Sequence, residues 1–217
     1  MSKKLQEKQA RRLAEERRQA EKKKEARRRN LITMIITVVV FAGAVLLIVN
    51  ERRKEGGPIE GSVPASKAGC TEVESFEPME SPHIEVGAPH EPYNSDPPTS
   101  GPHYQSPDGP VDPSFYTNEL EPEQVVHNLE HGQVVMWYRP DLDAETKDQI
   151  ELVVEQESTA TVALPYEGIE DKHSFVMTAW GNKQSCAKVS QAVIDDFREQ
   201  FQGKAGPEAR LTKPFDA

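Results

Sequence analysis

Glu123-Gln124-Val125-Val126-His127-Asn128-Leu129-Glu130-His131-Gly132-Gln133-Val134-Val135-Met136-Trp137-Tyr138 is the stretch whose reading decides the fold. Glu123 to Glu130 is predicted to make about two helical turns, closed by Gly132, a residue suited to the left-handed position after a helix. Val134–Tyr138 is then a continuous apolar run of strand length, ended by Arg139-Pro140. Outward from there, Asp143 caps a predicted helix through about Glu157 with Ile150, Val153 and Val154 on its apolar face. Thr161 to Leu164 reads as a short strand and Ser174 to Trp180 as a longer one. Val189 to Phe201 is a final amphipathic helix, carried by Val189, Val193, Ile194, Phe197 and Phe201. The order β-α-β-β-α describes a small α+β domain with helices packed on a sheet, expected over residues 83–217. Upstream, eleven of the 17 prolines fall between Pro78 and Pro122. Proline removes ladder donors and disfavours helix before it, so a long irregular loop is expected there. Its tyrosines, histidines and Phe115 supply surface to bury.

The same stretch carries the chemistry. His127 and His131 are four residues apart, so on a helix both imidazoles share one face and can reach one ion. His103, in the rigid loop Pro97-Pro98-Thr99-Ser100-Gly101-Pro102-His103-Tyr104, is the natural third ligand. A set of imidazoles suits copper or zinc, with bonds of about 2.0–2.1 Å in the zinc case. His83 and His90 are second-tier candidates, and His173 is expected at a surface turn. Two other readings compete. His127-x-x-Glu130-His131 has the H-x-x-E-H pattern of the inverted zincins, in which the glutamate is general base on a zinc-bound water. That scaffold needs a further carboxylate ligand on a following helix, none stands out, and the helix stops at Gly132. Alternatively, the histidines hydrogen-bond backbone and hold the long loop to the sheet of a non-catalytic envelope protein. No catalytic residue is assigned, Glu130 taking that role only under the hydrolase alternative.

Charge and hydropathy divide the chain. The net charge is −10, but residues 1–30 hold thirteen Lys/Arg against five Glu, leaving 13 basic and 31 acidic residues for the remainder. An acidic domain of that kind excludes a nucleic-acid partner, because phosphate binding needs a basic face. Residues 1–30 read as a basic, helix-prone arm that anionic lipid headgroups would attract. Residues 31–49 (LITMIITVVVFAGAVLLIV) are uncharged. At 1.5 Å per residue they reach roughly 28 Å, the thickness of a bilayer's hydrocarbon core, so one transmembrane helix is expected. Eight Lys/Arg precede the span within fifteen residues and three follow it. The positive-inside bias then puts the N-terminus in the cytoplasm and the C-terminal domain outside. Residues 50–82, with Gly56-Gly57-Pro58, Pro64 and few apolar residues, read as a linker. In an oxidising compartment the isolated pair Cys70 and Cys186 is expected to bridge and to staple the end of that linker. Such a long loop closure stabilises by about 4–5 kcal/mol in the chain-entropy model.

Three motifs resemble one bacterial family. Pro97–Tyr104 (PPTSGPHY), Val126–Gly132 (VHNLEHG) and Thr178–Gly181 (TAWG) with Cys186 are similar to the membrane-anchored family known as domain of unknown function 3105. The resemblance covers roughly residues 80–210. It implies a short basic N-terminus, one membrane helix and an exported domain, and it brings no activity with it. Ser106-Pro107-Asp108-Gly109-Pro110 stands where a Trp-containing stretch is usual in that family.

Overall fold

The computed structural model describes residues 62–215, together with the isolated positions Ile59, Met34 and Thr37. Contacts divide the chain into two compact units, residues 1–55 and 56–217. The basic arm (1–30), the expected membrane span (31–49, apart from helical Met34 and Thr37) and most of residues 50–61 lie outside the described residues. Among the described residues, no helix is long and apolar enough to cross a membrane.

The second unit is an α+β fold built on a mixed five-stranded sheet. Its elements are α1 (Ala65–Ala68), β1 (Glu74–Ser75), β2 (His83–Ile84), β3 (His103–Tyr104), α2 (Pro122–Glu130), β4 (Val134–Tyr138), α3 (Ala144–Gln156), β5 (Thr161–Pro165), β6 (Phe175–Ala179), β7 (Asn182–Cys186) and α4 (Gln191–Phe201). A 3-10 turn, Ala209–Leu211, follows. The main sheet has the order β1-β7-β6-β4-β5, and β2 and β3 form a separate pair. β6 is the central strand, and β4 lies between it and the edge strand β5, antiparallel to β6 and parallel to β5.

β4 is buried along its whole length because both faces of the sheet are covered. Side chains alternate across a strand. Val134, Met136 and Tyr138 therefore join Ile150 and Val153 of α3 and Val193, Ile194 and Phe197 of α4. Val135 and Trp137 point the other way, onto Val125, Val126 and Leu129 of α2. The second face is completed by the Pro-rich loop. Phe115 makes a bridge to Ala163 of β5, and Tyr116 N–H donates to the Ala163 carbonyl at 2.7 Å. The loop thus covers the outer edge of β5, which would otherwise present unpaired backbone groups.

Two expectations need revising. The element order gains a strand, β7, which pairs antiparallel with β6 across the turn at Trp180-Gly181. Its sequence, Asn182-Lys183-Gln184-Ser185-Cys186, has no apolar alternation, so periodicity misses it. The described residues from Ser62 to Pro82 are not a free linker. β1 pairs with β7, Phe76 N–H donates to the Gly181 carbonyl at 2.8 Å, and Cys70 is bonded to Cys186. Ser190 Oγ donates to the Val63 carbonyl at 2.5 Å.

Candidate metal centre

α2 begins at Pro122, a residue already set to helical φ, within a capping box of Glu121 and Gln124. It ends at Glu130. His131 is the cap residue at φ −75°, ψ 2°, and Gly132 follows at φ +80°. A Cβ on Gly132 would meet Ala209 Cα at 2.8 Å. The glycine is therefore required by both its conformation and its neighbour. The helix presents His127 and Glu130 to the loop side of the fold.

The loop brings two more histidines to the same place. β2 and β3 run parallel with His83 and His103 as register partners, so both rings start from one level. Behind His103, Gly101 adopts φ +126°, and a Cβ there would lie 2.9 Å from the Tyr93 ring. Tyr93 Oη donates to the Pro102 carbonyl at 2.7 Å, and Met79 N–H donates to Ser100 Oγ at 3.0 Å. The ring of His103 sits 4.8 Å from that of His83 and 4.7 Å from that of His127.

Hydrogen bonds to carbonyls fix the tautomers. A carbonyl only accepts, so the imidazole nitrogen facing it must carry the proton. His103 Nδ1 donates to the Gly101 carbonyl at 2.9 Å. His127 Nδ1 donates to the Tyr104 carbonyl at 2.6 Å. In the neutral rings each Nε2 then holds a lone pair, the arrangement found in metal-ligating histidines oriented through their other nitrogen. Glu130 Oε2 lies 3.0 Å from His103 Nε2 and 3.6 Å from His83 Nε2. Two lone pairs facing one another at 3.0 Å repel. A positive charge between them, a proton or a metal ion, makes the contact favourable.

His83, His103, His127 and Glu130 each offer a ligand atom, and these atoms all lie within 4.8 Å of one another. His103, His127 and Glu130 are buried. Burial pushes the His127 pKa down to about 4, with His103, His131 and His83 adding to the effect against the Tyr104 carbonyl. A ring held neutral near pH 7 is ready to ligate without first losing a proton.

Of the three expected ligands, His103 and His127 come together, whereas His131 falls into an adjoining group with Glu130 and Glu208. The i,i+4 spacing is kept, since the His131 N–H still donates to the His127 carbonyl at 3.2 Å, but the His131 ring is turned toward a different partner. His131 Nε2 instead faces Glu208 Oε2 at 3.5 Å, its ring edge-on to His127 at 4.7 Å. Burial lowers the His131 pKa against the opposing pull of Glu208 and Glu130. His90 lies elsewhere, its Nε2 3.0 Å from Glu123 Oε1 and its Nδ1 donating to the Glu91 carbonyl at 2.7 Å. His173, expected at the surface, is buried with 8% exposure. It does stand at a turn, closed by its N–H on the Glu170 carbonyl at 2.9 Å, but the side chain goes inward. Burial lowers its pKa too.

His83 and Glu208 were not foremost in the sequence. His83 follows a proline, as His103 does, but so does His90, so the dipeptide does not single it out. Glu208 has no mark either, being brought in by a turn containing Gly203 and Gly206. A family model described as "Protein of unknown function (DUF3105)" matches residues 88–214, more than half of the chain. His103, His127, Glu130, His131 and Glu208 lie inside the match, and His83 lies outside it. No curated protein and no solved structure matches the chain.

Proposed function

The chain belongs to the DUF3105 family, and we propose that its domain binds a transition-metal ion, copper or zinc, at His83, His103, His127 and Glu130. The observation that carries this reading is the pair of imidazoles whose Nδ1 protons are committed to the Gly101 and Tyr104 carbonyls, so that Nε2 is the nitrogen each ring has left for an ion, that of His103 already facing Glu130 Oε2 at 3.0 Å. Three nitrogens and one carboxylate suit zinc or copper better than a hard cation, and both cysteines are tied up in the disulfide. The role is to hold, sequester or deliver the ion at the outer face of a membrane. Residues 31–49 anchor the chain there, and anionic headgroups draw the basic arm to the cytoplasmic surface.

Calorimetric titration of the untagged, chelator-stripped chain with Zn²⁺ or Cu²⁺ tests the binding. Saturable binding is expected, with a melting temperature that rises with free metal, as RT ln(1 + [L]/Kd) requires. Absence of binding to either ion, with a melting curve indifferent to both, contradicts it. Glu130→Gln separates this reading from a hydrolase. As a ligand, Glu130 contributes to affinity, and its loss weakens binding by about tenfold or more. As a general base, its loss leaves binding intact and removes a hydrolytic activity.

A further inference from the structure

We propose that Glu130, His131 and Glu208 form a second, outer metal site, joined to the inner one through the shared Glu130 carboxylate. This rests on the inner site being a metal site. Glu130, His131 and Glu208 each place a ligand atom within 4.8 Å of the others. The two groups are contiguous, since Glu130 belongs to both and the His127 and His131 rings are 4.7 Å apart.

The position of Glu208 is fixed by backbone rather than left to a free side chain. Gly203 N–H donates to the Gly132 carbonyl at 2.8 Å, and Glu208 N–H donates to the Glu130 carbonyl at 3.1 Å. Between them Gly206 approaches so closely that a Cβ would lie 2.5 Å from the Glu130 carbonyl oxygen. The turn is thus clamped onto the C-terminus of α2, and it delivers Glu208 beside His131. Arg210 also approaches Glu208, at 4.0 Å. That contact is solvent-exposed and weak, so it yields readily to an ion.

Both sites reach solvent: at the inner one His103 is 0% but His83 50% exposed, and at the outer one His131 and Glu208 are 20% and 42% exposed. Three protein ligands leave room at the outer ion for water or an exchanging ligand, whereas the inner one has four. Glu130 can accept one ion on each side, and its negative charge offsets the repulsion between them, as bridging carboxylates do in two-metal centres.

Native mass spectrometry of the full, untagged chain in a membrane-mimetic micelle, titrated with Zn²⁺ alone, reads the stoichiometry. Two ions are expected for the wild type, and one for both His131→Ala and Glu208→Gln. His103→Ala is expected to lose the inner ion and keep the outer one. A wild type that takes a single ion, lost on His103→Ala and retained by Glu208→Gln, overturns the outer site and leaves the inner one standing. Two ions retained in both His131→Ala and Glu208→Gln also overturn it. A wild type that takes none removes the inner site and this inference together. Glu208→Gln changes a partly exposed side chain without altering its volume, so loss of an ion there is not attributable to unfolding; circular dichroism of each variant checks this.

Discussion

His103 and His127 each spend one nitrogen on a backbone carbonyl, and that single constraint sets what the other nitrogen can do. His103→Ala or His127→Ala should abolish high-affinity inner binding in calorimetry, whereas His90→Ala, whose ring is engaged by Glu123, should not change it. The pH dependence follows from burial. The His127 pKa is lowered from 6.5 to about 4, so the unfolded chain takes up a proton first as pH falls. Metal-free stability from this group is therefore complete above about pH 6.5 and is lost progressively towards pH 4. The buried His131 and His173 act in the same direction. His90, raised by its hydrogen bond to Glu123, acts oppositely, its contribution present at low pH and lost as pH rises through its pKa. Denaturant melts of metal-free protein at pH 7 and pH 5 should show lower stability at pH 5. Equal or greater stability there would contradict the buried neutral imidazoles. The pairing of His103 with His127 was legible from residue type and the rigid loop. The separate lie of His131 was not, because its partner Glu208 is far away in sequence and is brought in by a turn clamped onto the end of α2.

At the level of elements, α2, its cap and β4 were readable because helix stop and strand start are local chemistry. What joins α2 to the loop is not local. Asn128 Oδ1 accepts from Val111 N–H at 3.1 Å, and its Nδ2 donates to the Val111 carbonyl at 2.7 Å and to Gln133 Oε1 at 2.7 Å. One buried amide thereby replaces a strand partner for the loop. Asn128→Ala leaves both Val111 groups short of partners and should cost about 1–3 kcal/mol in urea unfolding. It should also weaken inner metal binding, because the loop that carries His103 loses its tie to the helix. A change below about 0.5 kcal/mol would show that the loop is held by other means. Gly132→Ala meets both the positive φ and Ala209, and should destabilise by about 1–3 kcal/mol while pushing the Glu208 turn away. β7 and the segment through β1 escaped sequence reading for a physical reason. Their side chains are polar, and their order comes from backbone pairing with β6 and from the disulfide.

Over the whole molecule, the topology proposed above, with the acidic domain outside, draws on the charge division, the uncharged stretch at 31–49 and the two cysteines. A reporter fused after Ala217 should be active only when it folds outside the cytoplasm, and a signal from a cytoplasmic reporter alone would reverse the orientation. In the exported protein Cys70 and Cys186 should resist thiol labelling under denaturing, non-reducing conditions. The histidines, on the reading proposed above, exist to hold an ion rather than to fasten the Pro-rich loop. Elemental analysis of the untagged chain, purified beside the His103→Ala/His127→Ala double variant, tests this most directly. Copper or zinc should accompany the wild type in at least equimolar amount and fall by at least one ion per chain in the variant. A wild type that carries neither metal, and melts at the same temperature with and without a chelator, would contradict it.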